Sequence, residues 1–337
     1  MTAMLTPAAA DPALPMLEAA LDASSAGQAI AASKHYRHRR VEVLEVRLRR
    51  HKPGKRAVID YTLAVTTPGI GTETVPVIAK MRARRAPRTA YQRAKAVWAR
   101  GFQADSADGI SVPEPLGTVP ALGLWLQRRV AGLVATDLLP GRDGEALARR
   151  VADAAVKLHL AGVPAERRHG ATDEMAILHR VLSAVAAARA DLTPGIHALL
   201  AACDRVARTL DGPSTGIHRD FYADQIIVSG ERLHLLDFDL YCEGHAALDA
   251  GNFAGHLAEH ALRTPAHRDA LDRAERSLED QYMRHAGAAS RRQVRAYAAL
   301  TLARHVYLST VVPGREATTT TVLAAALARA EALLDGR

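Results

Sequence analysis

The feature that most constrains this 337-residue sequence is a change in its hydrophobic period near residue 130. Before that point apolar and polar residues alternate, as from Leu44 to Leu48, which predicts β-strands. Beyond it apolar residues recur at helical spacing, as from Leu147 to Leu158, which predicts helices. The sequence therefore predicts an α+β fold, with a strand-rich part at residues 1–129 and a mainly helical part at residues 130–337.

The order of elements within each part is also predictable. Residues 1–35 are expected to form a partly irregular or helical extension. Three strands, one helix and two further strands should follow, over residues 44–48, 59–65, 75–81, 89–101, 112–119 and 123–128. A helix capped by Asp143 should open the second part. Later helices are expected over residues 173–190, 195–210, 249–261, 266–284, 291–308 and 319–334.

Two carboxylates and an amide flank one short strand pair in the second part. Ile226–Val228 predicts a strand, Ser229–Arg232 a turn and Leu233–Leu236 the returning strand. Such a hairpin would set Gln225 almost opposite Asp237, with β-carbons about 5 Å apart. Asp220 lies just before this pair in the sequence, at the same open end.

This arrangement suits phosphoryl transfer. The migrating group arrives with a Mg²⁺ ion that requires oxygen ligands, and the acceptor hydroxyl needs a carboxylate to orient it. Asp220 would orient the hydroxyl, whereas Gln225 and Asp237 would hold Mg²⁺. The spacing alone does not exclude a plain polar turn beside an edge strand.

The segment resembles the protein-kinase pattern H-R-D-x-x-x-x-N followed by D-F-G, and more closely the aminoglycoside phosphotransferase and choline kinase family of small-molecule kinases. The resemblance implies a protein-kinase-like two-lobe fold, with an antiparallel N-terminal sheet carrying one helix and a mainly helical C-terminal lobe. It also implies transfer of the γ-phosphate of ATP or GTP to a hydroxyl of an aminoglycoside-like, amino-alcohol or sugar acceptor. Asp220 and His218 would be the catalytic residues. Gln225 departs from the family's asparagine, and Asp239 replaces the glycine of D-F-G.

The resemblance assigns the nucleotide to the first part of the chain. Lys80 would contact the α- and β-phosphates, and backbone groups of Arg128 and Val130 would meet the adenine edge, just before the hinge-like Gly132. Residues 1–129 would then form the nucleotide-binding lobe, and the rest of the chain would carry the catalytic loop and acceptor site. The predicted helix that should follow Lys80 contains no glutamate to pair with it.

Two other classes of function remain open from the sequence. The absent glutamate and Gln225 favour a non-catalytic nucleotide-binding pseudokinase or scaffold. Alternatively, Asp237-Phe238-Asp239 could be the D-x-D metal site of a nucleotide-sugar transferase. That second class calls for alternating strands and helices before the motif, and the run of early strands disfavours it.

Several residues of the helical part have weaker assignments. By resemblance, Asp249 supports the catalytic loop from a helix start, although a helix N-cap explains it equally well. His159 is expected to be a packed or capping histidine. Four acids could recognise a cationic acceptor or could be ordinary surface ion pairs, namely Glu243, Glu259, Glu279 and Asp280.

Composition excludes several classes of protein. The net charge is +8, but the basic residues are dispersed and aromatic residues make up 4%, so a nucleic-acid partner is not expected. No stretch of about 18 apolar residues indicates a membrane span. The two cysteines, Cys203 and Cys242, predict neither a disulfide framework nor a metal site. We expect a cytoplasmic enzyme that uses Mg²⁺ and a small-molecule alcohol, with no membrane partner.

Overall fold

The structure is a computed structural model that describes residues 11–83 and 87–336. Within these residues the strands are β1 (Arg40–Lys52), β2 (Arg56–Thr67), β3 (Gly71–Arg82), β4 (Ile110–Ser111), β5 (Pro115–Val119), β6 (Leu124–Arg128), β7 (Leu133–Val134), β8 (Arg168–His169), β9 (Ser214–Ile217), β10 (Ile226–Ser229), β11 (Arg232–Leu235) and β12 (Cys242–His245). The helices are α1 (Leu17–Leu21), α2 (Ala23–Ala31), α3 (Pro87–Trp98), α4 (Ala135–Leu138), α5 (Gly144–Leu160), α6 (Ala171–Ala188), α7 (Thr193–Ala207), α8 (Ala247–Arg263), α9 (Arg268–Ala286), α10 (Arg291–Val311) and α11 (Thr319–Leu334).

The chain divides into two compact units. The first consists of the residues up to Gly132 together with Ser229–Leu236. The second consists of Leu133–Val228 and the residues from Asp237 onward. The sequence did not predict that Ser229–Leu236 would belong to the first unit. The nucleotide-binding and acceptor-binding roles assigned to the two parts of the chain stay predictions.

The first unit is built on a five-stranded antiparallel sheet with the strand order β1-β2-β3-β6-β5. The turn at residues 53–55 joins β1 to β2, and its glycine takes a positive φ of 70° without a steric penalty. Leu63 and Val77 are buried in the sheet's core, which also contains Leu17 of α1 and Ile30 of α2. The predicted helical extension therefore stabilises the sheet, and its first ten residues lie outside the described residues.

Helix α3 follows the third strand, as the sequence predicts. It begins at Pro87, whose fixed φ and missing N–H suit the first turn of a helix. Strand β11 reaches the first unit by pairing in parallel with β4, where Leu233 faces Ile110 and His234 faces Ser111.

Helix α8 packs against α9 and α10 in the second unit. Its approach to α10 is close because two of its residues lack side chains. A Cβ on Gly251 would lie 2.4 Å from the Tyr297 Cβ, and one on Gly255 would lie 2.7 Å from the Thr301 Cβ. Around this pair, α5 packs on α9, and α11 packs on α7 and α10. Among the described helices, none combines the length and apolar character that crossing a membrane requires.

Short strands hold the loops of the second unit. Strand β12 pairs in parallel with β8 and antiparallel with β9, and β10 pairs antiparallel with β7. The turn that joins β10 to β11 is Gly230–Glu231, shorter than the four residues predicted. Gly230 has a φ of 56°, the left-handed conformation that a two-residue turn needs, so the strands extend further than expected.

The helices α6 to α11 lie within three residues of the six predicted helices. The prediction for Asp143 is only partly right. Asp143 occupies the N-cap position of α5, but its side chain makes no capping hydrogen bond.

Candidate active site

The predicted catalytic loop follows β9 and continues to a short 3-10 turn, Ala223–Gln225. Its first residue, His218, is 0% exposed, and its ring contacts Phe221 and Phe238 at centroid distances of 5.7 and 5.0 Å. Asp220 is half-buried. The loop is therefore anchored by an aromatic cluster at its start and presents its carboxylate near the surface.

The Asp249 carboxylate fixes the backbone of this loop. It accepts hydrogen bonds from the His218 N–H at 2.8 Å and the Arg219 N–H at 2.7 Å, and His159 Nε2 lies 2.9 Å from Oδ2. Arg219 has a φ of 69°, a left-handed conformation that costs a non-glycine residue about 1–2 kcal/mol. Hydrogen bonds to a charged acceptor contribute about 1.5–3 kcal/mol each, so the carboxylate outweighs that cost.

This position corrects one of the two explanations for Asp249. The residue is the third of α8 rather than its N-cap, because the helix begins at Ala247. Its side chain bonds the loop from the first turn of the helix, and it is 0% exposed. His159 is packed, as expected, and its ring also joins the loop's support through Asp249.

One turn further along α8, Asn252 holds the next part of the loop. Its Nδ2 donates to the Phe221 carbonyl at 2.9 Å. Its Oδ1 accepts from Thr301 Oγ1 at 3.2 Å and from Arg304 Nη2 at 2.8 Å, both on α10. Because Asp249 and Asn252 are three positions apart, they lie on the same face of α8. That helix face positions the loop from His218 to Phe221.

A buried acid completes this network. Glu174 of α6 lies 2.5 Å from His169 Nε2 and 3.7 Å from Arg304 Nη1. Burial acts to raise the pKa of Glu174, but the hydrogen bond with His169 and the charge of Arg304 outweigh it and lower that pKa. Glu174 is therefore a carboxylate at neutral pH and neutralises Arg304 beside Asn252.

The structure brings two of the three predicted reacting side chains into contact. Gln225 Nε2 lies 3.4 Å from Asp220 Oδ2. Asp237 follows β11 in a left-handed conformation, with a φ of 56°. The next residue, Phe238, contacts His218, so the segment that carries Asp237 lies beside the start of the catalytic loop.

The residue types at this site fit Mg²⁺. Gln225 places its amide nitrogen 3.4 Å from Asp220, and its amide oxygen and the Asp237 carboxylate are ligand types that Mg²⁺ takes. Within the described ranges no three His, Cys, Asp or Glu side chains cluster in a way that could hold a metal. A sparse oxygen set of this kind suits Mg²⁺, which is commonly bound by one or two protein groups together with substrate phosphates.

Lys80 lies on β3 in the first unit, where its ammonium stands over the ring of Trp125 at 5.1 Å from the centroid. The two residues are cross-strand neighbours on β3 and β6. A cation over an indole face is attracted by about 0.5–2 kcal/mol. Trp125 therefore orients Lys80 in a chain whose α3 carries no glutamate.

The two residues assigned to adenine lie at the end of β6 and just beyond it. Arg128 is the last residue of the strand; its Nε lies 2.8 Å from Glu114 Oε2, and its backbone N–H donates to the Glu114 carbonyl at 2.8 Å. Val130 is half-buried. The Arg128 N–H is therefore bonded within the first unit, and the adenine contact assigned to Arg128 and Val130 stays a prediction.

A family model described as the phosphotransferase enzyme family, APH, matches residues 61–297. The match includes Lys80, the catalytic loop and α8, and it covers more than half of the chain. This chain belongs to the phosphotransferase enzyme family. The predicted family and the predicted enzyme class, a phosphotransferase with an alcohol group as acceptor, are confirmed. None of the curated proteins compared with the chain matches it significantly.

Solved phosphotransferase structures share the fold at low sequence identity. A choline/ethanolamine kinase family protein from Mesorhizobium loti has 16% identity and a TM-score of 0.57, over 92% of this chain and 94% of that one. A thermostable mutant of aminoglycoside phosphotransferase APH(4)-Ia, in a ternary complex with AMP-PNP and hygromycin B, has 13% identity and a TM-score of 0.56, over 93% and 98%. Spectinomycin phosphotransferase APH(9)-Ia, with ADP and spectinomycin, has 8% identity and a TM-score of 0.57, over 93% and 98%. These likenesses confirm the predicted kinase-like α+β fold.

The four acids considered for a cationic acceptor are all ion-paired in this phosphotransferase. Glu243 is bound by Arg168, Glu259 by Arg263 and Arg315, Glu279 by Arg291 and Arg295, and Asp280 by Arg291. The surface ion-pair alternative therefore describes them better than acceptor recognition does. Glu259 and Glu279 are buried rather than exposed, which makes their separation from arginine costly.

Sequence reasoning missed the supporting residues Asn252, Arg304, Glu174 and Trp125. The three-residue spacing of Asp249 and Asn252 was the available signal, since it places both polar side chains on one face of the helix. The others have partners far away in the sequence, and no local pattern reports such contacts.

Proposed function

We propose that this phosphotransferase is an ATP- or GTP-dependent small-molecule kinase that uses Mg²⁺. The observation that carries the proposal is the carboxylate of Asp220, half-buried and within 3.4 Å of Gln225, on a loop held by Asp249. A base of this kind must be held within hydrogen-bond reach of the acceptor hydroxyl, which a backbone-anchored loop achieves.

In the proposed reaction the acceptor oxygen attacks the γ-phosphorus in line with the leaving oxygen. The bond from the γ-phosphorus to the bridging oxygen breaks, and the nucleoside diphosphate leaves. Asp220 orients the hydroxyl and receives its proton. His218 is fully buried, so we assign it the positioning of Asp220 rather than contact with the acceptor.

The remaining residues hold the donor. Gln225 and Asp237 would bind the Mg²⁺, which neutralises charge on the phosphates when bound. Lys80, oriented by Trp125, would contact the α- and β-phosphates, and the Arg128 carbonyl and Val130 N–H would meet the adenine edge. Support comes from the fold neighbours that were solved with AMP-PNP or ADP.

The alternatives from the sequence receive less support. Membership of an enzyme family argues against a non-catalytic scaffold. The antiparallel order β1-β2-β3-β6-β5 argues against a nucleotide-sugar transferase, whose strands would alternate with helices.

The Asp220→Asn variant tests the proposal. We expect kcat for phosphate transfer to alcohols to fall by about 10²–10⁴-fold, the range for loss of a general base. The KM for the nucleotide should stay the same, because Asp220 does not bind the donor. Asp269→Asn on α9, which makes the same chemical change at an exposed site, is the matched control and should keep wild-type turnover. Full activity in Asp220→Asn would contradict the assignment.

A further inference from the structure

Three aromatic side chains pack in series beside the catalytic loop in the second unit, two of them half-buried and the third, His305, buried. Tyr222, two residues after Asp220, stacks on His256 of α8 with ring centroids 4.5 Å apart and planes at 17°. His256 meets the edge of His305 of α10, also at 4.5 Å and at 87°. We call these three residues the imidazole surface.

Both imidazoles are uncharged at neutral pH. Burial, followed by the nearby His305 and Arg304, holds the pKa of His256 well below its usual value. Burial, followed by the charges of Arg304 and Arg315, lowers the pKa of His305 to about 3. A neutral imidazole offers one N–H donor and one acceptor nitrogen, so it can donate a hydrogen bond to a hydroxyl or accept one from it.

His305 has unused hydrogen-bonding capacity. It is 2% exposed, and neither ring nitrogen has a hydrogen-bond partner among the residues that the structure describes. An unsatisfied buried polar group costs about 1–3 kcal/mol. That cost is recovered when a polar group, such as the hydroxyl of a bound molecule, occupies the position beside it.

The charges around the imidazole surface are net positive, with three arginines against two buried acids, Glu174 and Glu259. Arg304 and Arg315 flank His256 and His305, and Arg263 adds a third positive charge near His305. Buried Glu259 is held by Arg263 at 3.2 Å and by Arg315 at 3.3 Å, so a cation would have to break these pairs. Asp224 is exposed and accepts a hydrogen bond from Thr136 Oγ1, and an exposed carboxylate attracts a cation only weakly.

We propose that the acceptor is an uncharged or anionic polyhydroxyl compound, not a polycation, and that its hydroxyls bind the imidazole surface. The proposal rests on the kinase function proposed above and narrows its acceptor class. Uncharged imidazoles favour hydroxyl groups and the excess arginine charge favours an anionic group, whereas an ammonium would find both buried acids already paired with arginine.

A charge-based fractionation of possible acceptors tests the class with the wild-type protein. Small molecules from a cell extract are separated on a cation exchanger at neutral pH, and each fraction is incubated with Mg²⁺ and γ-labelled ATP or GTP. We expect labelled products from the unbound fraction. Label transfer only to the bound, cationic fraction, or to neither fraction, overturns the acceptor class.

Nucleotide hydrolysis in the same incubations separates this failure from that of the parent proposal. If hydrolysis depends on Asp220 but transfer goes to cationic compounds, the kinase function stands and the acceptor class fails. If neither hydrolysis nor transfer depends on Asp220, the kinase function itself fails.

The His256→Ala variant then tests the surface. We expect the KM for the best uncharged or anionic acceptor to rise at least tenfold and the KM for the nucleotide to stay the same. In His256→Asn, which keeps a hydrogen-bond donor and an acceptor, the acceptor KM should rise less. His179→Ala on α6, where the histidine pairs with Asp204, is the control and should leave both constants at wild-type values. An unchanged acceptor KM in His256→Ala overturns the proposed contact.

Discussion

At the scale of single residues, one carboxylate determines the shape of the catalytic loop. Asp249 binds two consecutive backbone N–H groups and the ring of His159 while fully buried. The left-handed conformation of Arg219 is one that L residues avoid, and it persists because its own N–H and that of His218 both donate to the Asp249 carboxylate. Asp220 is the next residue, so its direction follows from this constraint.

Trp125 gives a prediction at the same scale. Trp125→Leu removes the ring beneath Lys80, and we expect the Kd for nucleotide to rise about 2- to 30-fold, the equivalent of a cation–π contact of about 0.5–2 kcal/mol. Trp125→Phe keeps an aromatic face and should lose less than Trp125→Leu. Calorimetric titration with AMP-PNP measures both variants, and equal affinities for Leu and Phe would show that the ring does not orient Lys80.

The residues proposed to react could be selected from the sequence because they lie close together along the chain. Asp220, Gln225 and Asp237 fall within one loop and strand pair, so spacing alone suggested their roles. Their supports could not be predicted in this way, since His159 and Asp249 are 90 positions apart and Thr301 and Asn252 are 49 apart. Such contacts depend on helix packing, which local periodicity does not encode.

At the scale of elements, the α8 and α10 pair positions the site. Asp249 and Asn252 reach the loop from α8, and Thr301 and Arg304 brace Asn252 from α10. The closeness that these contacts need comes from the glycines of α8, where added Cβ atoms would collide with α10. Small residues at a helix interface let the backbones approach in this way.

Gly251→Ala tests this packing. Its Cβ would lie 2.4 Å from the Tyr297 Cβ, so α8 must shift from α10, and we expect the free energy of unfolding to fall by about 1–3 kcal/mol. Gly27→Ala in α2 is the matched control, because its nearest neighbour is 3.6 Å away. Replacing that helical glycine should raise stability by about 0.5–1 kcal/mol. Urea denaturation measures the free energy of unfolding of both variants. Equal effects would mean that α10 does not restrict the space at Gly251.

The boundaries of elements were predictable wherever a pattern was long. Helices α6 to α11 came within three residues because each repeats its apolar spacing over several turns. Short features were less predictable. The turn at Gly230 is tighter than expected because glycine accepts a left-handed conformation, and the Asp143 side chain does not cap α5 even though it occupies the cap position.

At the scale of the whole molecule, buried histidines make stability depend on pH. His256 and His305 stay neutral in the folded protein, but below about pH 6.5 they bind protons in the unfolded chain. The unfolded state then holds more protons, so stability falls as pH decreases from about 6.5 towards the folded pKa. For His305 alone, whose pKa is about 3, the loss reaches about 2 kcal/mol at pH 5.

This pH dependence can be measured by urea denaturation at pH 7.5 and pH 5.0. We expect the wild-type protein to lose stability between these values, and His305→Asn to lose less. Exposed His197→Asn should behave like the wild type. Acids such as Glu174, whose pKa is lowered, make stability depend on pH only below about pH 4.5, where their stabilising effect is lost. They do not enter this comparison. Identical slopes in His305→Asn and the wild type would exclude His305 as the source.

The net charge of the whole chain says less about the acceptor than the local pairing of its charged side chains does. A net charge of +8 suggests an acidic partner, yet many of the arginines that produce it are bound to acids of the second unit, as Arg329 is to Glu275. The sequence counts charges without showing which of them are paired. The proposed acceptor class therefore rests on local pairing and not on net charge.

The proposed mechanism depends most on a Mg²⁺ ion that Gln225 and Asp237 would bind. Calorimetric titration of AMP-PNP and GMP-PNP, with and without Mg²⁺, measures the increment in affinity that the ion provides. We predict that Mg²⁺ strengthens the binding of AMP-PNP or of GMP-PNP to the wild type and to Asp269→Asn. In Asp237→Asn this gain in affinity should be at least tenfold smaller than in the wild type. Gln225→Ala should reduce the gain by less. If Mg²⁺ strengthens nucleotide binding to Asp237→Asn as much as to the wild type, Asp237 does not bind the ion and the proposed mechanism is wrong.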